Sequence, residues 1–261
     1  MNAIEDNAYR RAWSAAARAI PKPRAVLCVS AHWETAGVAV TASEWPETIH
    51  DFYGFPKELF AVRYPAPGDP WLCRETAAIV KGTAVAQDPE RGLDHGAWSV
   101  LAAMYPEADV PVVQLGLDTR RPASFHYALG RELAPLREQG VLILGSGNMV
   151  HNLGKIDFQR SGGYDWAVRF DGQLRRRILA GDHEALIEYE SLGAEAPLAI
   201  PTPEHYLPLL YVLALQREGE GVALFNEETL MGSISMTSVA LGEAGHPFPI
   251  GSRTGIGSAR S

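Results

Sequence analysis

The sequence predicts one α/β domain with a central, mostly parallel sheet flanked by helices, and three observations carry that reading. Residues 24–30, 110–115 and 141–144 are short, continuous apolar runs bounded by turn residues, the pattern of strands buried on both faces. Segments with helical spacing and recognisable start and stop signals alternate with them, which favours a sheet covered by helices. No internal repeat and no interdomain linker interrupts the 261 residues, of which 46% are hydrophobic and 21% charged, enough for one large core. The domain is therefore assigned to residues 1–241, and the residues 242–261, rich in Gly, Ser and Pro, to a loose tail.

In chain order, Asp6 or Asn7 can cap a first helix whose stripe is Tyr9, Trp13, Ala16 and Ile20, ended by Pro21 and Pro23. The strand at 24–30 delivers Ala31-His32-Trp33 at its carboxyl end, and 37–41 forms a second, short strand. Asp69-Pro70 opens a helix to about Lys81 with the cap and the first-turn proline in the expected order. A short strand at 84–87 precedes the elbow Gly92-Leu93-Asp94-His95-Gly96 and an apolar helix ending at Tyr105-Pro106. After the strand at 110–115, Pro122 starts a helix to about Gln139. The strand at 141–144 runs into a Gly-Ser-Gly loop, a helical segment over 164–189 breaks at Gly181-Asp182, and 207–215 is a helix apolar on every side. Final strands are expected at 222–225 and 233–241.

Composition excludes several classes of partner. A net charge of -8 and a pI near 5.5 do not suit nucleic acid or an anionic membrane surface, which demand clustered Lys and Arg. The run Arg175-Arg176-Arg177 lies among acidic neighbours and reads as a solvated helix face. No apolar run approaches the ~20 residues of a membrane span, and the acidic start lacks the layout of a signal peptide. Two cysteines, Cys28 and Cys73, make neither a disulfide framework nor a thiolate metal site. The expected setting is the cytosol, as a monomer or small homo-oligomer.

Chemistry is concentrated in histidines within unusual loops. His50 and Asp51 stand between a polar turn and the aromatic cluster Phe52, Tyr53 and Phe55. His151 follows Gly145-Ser146-Gly147-Asn148, where glycines let the backbone approach a ligand closely and Asn148 and Asn152 can orient the ring. His205 sits near a helix start, where the dipole disfavours imidazolium and keeps a ligating nitrogen neutral. The expectation is that the fold gathers His50, His151 and His205 around one metal ion, with His151 as ligand, as acid–base catalyst, or as both. His32 and His95 close a strand and a turn in pocket-like settings and are expected to bind substrate or to hold structural hydrogen bonds. Tyr206 joins Phe52, Tyr53 and Phe55 as an expected wall for a ring-shaped ligand. His126 reads as packed, and His183 and His246 as exposed. Neither a His-Glu-x-x-His motif nor a Gly-x-Ser-x-Gly elbow is present.

Six motifs in order carry a resemblance. Ser30-Ala31-His32-Trp33, Thr48-Ile49-His50-Asp51-Phe52, Tyr64-Pro65-Ala66-Pro67-Gly68, Asp94-His95-Gly96-Ala97-Trp98, Ser146-Gly147-Asn148-Met149-Val150-His151-Asn152 and Pro201-Thr202-Pro203-Glu204-His205-Tyr206 together resemble the 4,5-DOPA extradiol dioxygenase family. That family falls within the group similar to the protocatechuate 4,5-dioxygenase catalytic subunit. The resemblance runs from Asn2 to about Leu241. It implies a non-haem divalent metal, Fe(II) for turnover with Zn(II) often in its place. It also implies cleavage of a catechol beside its hydroxyl pair by O₂, giving a muconic semialdehyde. On this resemblance His50 and His205 match metal ligands, His151 the histidine beside the metal, and His95 a position lining the substrate pocket. Members begin with a strand ending in a Gly-His-Gly-Ser-Pro loop whose histidine is a ligand, and Met1-Asn2 starts where that loop finishes. Against the resemblance the chain is thus expected to lack one strand of the sheet and one ligand, either because its start is assigned too late, at an internal Met, or because it is a poor catalyst. A zinc hydrolase and a non-catalytic binding protein on the same fold remain the alternatives.

Overall fold

The computed structural model describes residues 3–243. Its centre is a five-stranded sheet built from β1 (Ala25–Glu34), β2 (Val38–Thr41), β3 (Val85–Asp88), β4 (Val112–Leu117) and β5 (Val141–Ser146), in the order β3-β2-β4-β1-β5. Both neighbours of β1 run parallel to it; β2 meets β4 antiparallel through Val40 and Leu115, and β3 is parallel to β2. Val26, Leu27, Cys28 and Val29 of β1 are wholly shielded from water, as a strand with helices on both faces requires. Each such aliphatic side chain contributes about 1.5–3 kcal/mol of burial. β5 ends the sheet: its outer edge has no strand partner among the described residues and borders a cavity of about 660 Å³.

The helices follow their sequence signals. Asn7 caps α1 (Ala8–Ala19) by accepting from the Arg10 amide at 2.9 Å. A short α2 (Lys57–Phe60) precedes α3 (Pro70–Ile79), whose cap Asp69 accepts from Trp71 and Leu72. Asp94 caps α4 (His95–Met104) through the Ala97 amide. The helix expected from Pro122 to Gln139 is divided into α5 (Ala123–Glu132) and α6 (Ala134–Glu138) at Leu133, two residues ahead of Pro135 within the first turn of α6. The break expected at Gly181-Asp182 separates α7 (Asp165–Leu179) from α8 (His183–Ile187), with Gly181 at φ 66°. A short α9 (Ala196–Ala199) leads to the site loop, and α10 (Leu207–Leu213) is buried against α5 and β5.

Three expectations need correction. β1 continues to Glu34, so His32 lies within a strand rather than beyond it. The fourth strand runs from Val112 to Leu117 rather than from Val110 to Leu115, with the Pro111 carbonyl still accepting from the Val26 amide at 2.8 Å. The strand expected at 233–241 is divided: β8 (Ile234–Ser235) pairs with β7 (Thr229–Leu230), while β9 (Ser238–Glu243) pairs antiparallel with β6 (Glu220–Phe225), both apart from the central sheet. Gly242 and Glu243 close β9, and the rest of the expected tail, with His246, lies outside the described residues. His126 is packed as expected, its ring between the Tyr211 hydroxyl and the Asp118 carbonyl. His183 is not free in solvent, because the Tyr127 hydroxyl lies 2.8 Å from its Nδ1. Arg175 pairs with Asp171 and Glu227, and Arg177 with Asp182. Both cysteines are buried free thiols. No described helix is long and apolar enough to cross a membrane.

Candidate metal centre

Four histidine rings meet at the carboxyl ends of β1 and β5, where parallel α/β sheets present their ligand sites. His32 comes from β1, after a register shift in the β1–β4 ladder between Val29 and Glu34. Its ring lies 4.0 Å from that of His95 and 5.1 Å from that of His205. His151 stacks on His205 at 3.4 Å with the planes 10° apart.

Backbone contact makes this convergence possible. His95 is the first residue of α4, and a Cβ on the following Gly96 would stand 2.5 Å from Ser30 Oγ and 2.8 Å from His32 Cδ2. Only a glycine lets the helix start close on β1 there. Ser30 Oγ in turn donates to the fully buried Asp94, which also accepts from Gln114 Nε2, so the cap of α4 is tied to two strands. At the end of β5, a Cβ on Gly147 would lie 2.2 Å from the His205 carbonyl oxygen, and the Asn148 amide donates to that oxygen at 2.8 Å. His151 is held by its backbone N–H on Ala199 O and by a bridge to Ile234.

The hydrogen bonds fix which ring nitrogens are available. Asn148 donates its side-chain NH₂ to Ser235 O, so its Oδ1 faces His205 Nδ1 at 3.1 Å and takes that proton. Nε2 of His205 is therefore left with its lone pair. Asp51 Oδ1 accepts from both the backbone N–H and the ring Nδ1 of His95, each at 2.9 Å, and Oδ2 lies 3.7 Å from His32 Nδ1. Burial would raise the Asp51 carboxyl, but the two His95 hydrogen bonds outweigh it and hold it at about 2. Three of the imidazoles are held toward the neutral form. Burial, reinforced by the surrounding histidines, pushes His205 down to about 2. Burial and then His32 push His151 down to about 4, and His32 is lowered by burial and by His95.

Neutral imidazoles with lone pairs oriented by second partners are the donor set a divalent transition metal needs. Ligating atoms of His151, Glu204 and His205 lie within 4.8 Å of one another, as do those of His32, Asp51 and His95, and the His32–His205 contact joins the two groups. The residues present fit such a metal.

Not every expected residue is in this cluster. His50 is outside it: its Nε2 faces the Val62 carbonyl at 3.0 Å with Arg63 at 3.4 Å, and its ring packs near Phe52, Phe60 and Trp98. With its proton on Nε2 this ring donates to the Val62 carbonyl, so that nitrogen is not presented to the cluster. His32, expected only to line the pocket, takes the central place. Tyr206 is likewise displaced from its expected role. Its ring is fully buried against Tyr189 and its hydroxyl donates to Leu186 O at 2.8 Å, so it belongs to the core. Among the expected aromatic walls, Phe52 stands edge-on to His95 at 5.2 Å, Phe55 packs on Phe52, and Tyr53 is 92% exposed. Asn148 orients His205 rather than His151, and Asn152 Nδ2 donates to Leu198 O. The sequence signal for His32 was available: it follows directly on the apolar run at 24–30. Asp51 was legible as an acceptor, but its partner was not. The large cavity reaches His32, His95, Gly96, Ser146, Asn148 and His205 at this end.

Comparison with known proteins identifies the family and the fold. The family described as the catalytic LigB subunit of aromatic ring-opening dioxygenase matches residues 4–239. The 4,5-DOPA dioxygenase extradiol of Escherichia coli K12 is 44% identical over 248 residues, covering 93% of this chain and 91% of that protein. The protein of the same name from Beta vulgaris is 39% identical over 83% of this chain and 82% of its own. A crystal structure of an uncharacterized Escherichia coli K12 protein superposes with a TM-score of 0.78 at 39% identity, covering 90% of this chain and 93% of that one. A match of this extent places the chain in the LigB family of aromatic ring-opening dioxygenases, as an enzyme of the extradiol class.

Proposed function

We propose that this enzyme opens a DOPA-like catechol next to its hydroxyl pair, incorporating both atoms of O₂ to give a muconic semialdehyde, at a divalent metal held by His32 and His205 with His151 beside them. The observation that carries the reading is the convergence of four imidazoles at the sheet's carboxyl ends, two of them oriented by Asn148 and Asp51. A non-haem Fe(II) there supplies Lewis acidity and the electron exchange that brings catecholate and O₂ together; Zn(II) fits the same donors without turnover.

The chain's own residues perform the remaining tasks. A catechol must lose hydroxyl protons on binding, and a neutral His151, unprotonated down to about pH 4, can accept one and return it as the ring opens. His95 lines the cavity with Nδ1 occupied by Asp51, so its Nε2 offers an acceptor to a substrate hydroxyl. Phe52 stands edge-on to His95 and, with Phe60 and Trp98 packed against it, would limit water around a ring bound there. The amino-acid side chain is assigned to the substrate because relatives at 38–44% identity carry the DOPA name. We place the enzyme in the cytosol, as a monomer or small homo-oligomer, with catechol and O₂ as its partners.

The test is anaerobic reconstitution with Fe(II), followed by oxygen uptake over a panel of catechols that includes DOPA. The expected result is one O₂ consumed per catechol with a ring-opened product, and none with the Zn(II) form. Ester or amide hydrolysis by the Zn(II) form without O₂ would point to a hydrolase. Metal-loaded protein that consumes no O₂ with any catechol would contradict the reading.

A further inference from the structure

We propose that Asp51 is a positioning residue for ring opening, acting through His95 by holding its proton on Nδ1 so that Nε2 faces the substrate as an acceptor. The inference rests on the assignment of the site above and deepens it.

Two hydrogen bonds from His95, backbone N–H and ring Nδ1, converge on the same carboxylate oxygen at 2.9 Å. A carboxylate can only accept, so the ring proton must sit on Nδ1. A free histidine side chain prefers its proton on Nε2, and what the other nitrogen meets decides the tautomer in a protein. With Nε2–H, His95 would present a donor to a catechol hydroxyl that is itself a donor until it loses its proton. With Nδ1–H it presents an acceptor.

The loop that carries Asp51 is built to hold it still. The Trp98 indole donates to Ile49 O at 2.7 Å, Ile49 N–H donates to Leu93 O at 2.8 Å, and Thr48 bridges to Leu93. These contacts tie the loop to α4 and to the turn leading into it, the element that begins with His95. His50, the preceding residue, turns the other way to Val62. The loop thus delivers its carboxylate, rather than its histidine, to the site. The second oxygen lies 3.7 Å from His32 Nδ1, beyond hydrogen-bond distance, so the orienting contact of this carboxylate is with His95.

The experiment uses the full chain, metal-free and labelled with ¹⁵N-histidine, and reads ring tautomers from two-bond ¹H–¹⁵N correlation spectra at pH 7.5. His95→Ala assigns the signal. In the wild type His95 is expected as the Nδ1–H form. Asp51→Ala should move it to the Nε2–H form and lower kcat of the Fe(II) enzyme about 10–100-fold, with KM within threefold. Asp51→Asn keeps an acceptor at the same oxygen and should retain the Nδ1–H form and recover most of kcat. If the alanine variant does not fold, Asp51→Ser, too short to reach Nδ1, replaces it. An unchanged tautomer in Asp51→Ala, or a changed tautomer with unchanged kcat, would overturn the proposal. A wild type that consumes no O₂ would count against the functional reading alone, because the tautomer is read without activity.

Discussion

Replacing Gly147 by alanine removes no ligand, yet it should disable the site. The new Cβ would stand 2.2 Å from the His205 carbonyl oxygen and 3.1 Å from its carbonyl carbon. Ordinary carbon–oxygen contact is about 3.3 Å, so the two backbones must part by roughly 1 Å. That carbonyl accepts the Asn148 amide at 2.8 Å, and Asn148 Oδ1 accepts from the His205 ring at 3.1 Å. A shift of this size breaks both bonds and moves the His205 ring relative to His32 and His151. Overpacking costs about 1–3 kcal/mol of stability, and a ~1 Å misplacement can cost about 100-fold in rate. The assays are Zn(II) affinity by chelator competition, kcat by oxygen uptake, and Tm. We expect roughly tenfold weaker metal binding and a fall in kcat of about 100-fold. Gly162→Ala, where no atom lies within 4 Å of the new Cβ, should change none of the three. Gly147→Ala within twofold of wild type in affinity and turnover, at unchanged Tm, would refute the claim that this contact sets the geometry.

Three further outcomes follow from single residues. His151→Ala should lower kcat by about 10²–10⁴ with a much smaller change in KM; near-normal turnover would remove it from proton transfer. Tyr206→Phe should cost about 1–2 kcal/mol by leaving the Leu186 carbonyl without its donor while KM stays within twofold, and a large KM change would return Tyr206 to the pocket wall. Burial holds His126 at about 4, below the ordinary value near 6.5, so the unfolded chain takes up the proton first. Its contribution is complete above about pH 6.5 and lost as pH falls toward 4, at about 1.36 kcal/mol per pH unit, or about 3 kcal/mol in all. Denaturant melts of chelator-treated protein should show the stability gap between wild type and His126→Gln closing over that range, and a constant gap would contradict the burial argument.

The elements that hold the site were legible wherever the signal was local. The buried runs at β1 and β5, the Asn7, Asp69 and Asp94 caps and the break at Gly181 all follow from side-chain chemistry within a few residues. Membership of the cluster was only partly legible, because it depends on where strands end and which way a loop turns. His50 and Asp51 are adjacent, so their side chains leave the loop in different directions, and composition cannot say which one enters the site. Trp98 and Val62 decide it, from 49 and 12 residues away in the chain. His32 looked peripheral because β1 reads as ending at Ser30, whereas the register shift carries it to Glu34 and turns His32 toward His95. Tyr206 illustrates the reverse error, an aromatic beside a site histidine that faces the core. The pairing of β6 with β9 apart from the main sheet was not legible, since strand patterns carry no record of which sheet they join.

The central claim is that the histidines gathered at the sheet's carboxyl ends hold the metal, and that His50 does not. Zn(II) affinity measured by chelator competition in His32→Ala, His205→Ala and His50→Ala tests it most directly. The account predicts a loss of at least tenfold for His32→Ala and for His205→Ala, since even residues that only orient a ligand cost about 10–100-fold, and a change within twofold for His50→Ala. Wild-type affinity in His32→Ala together with a tenfold loss in His50→Ala would contradict it.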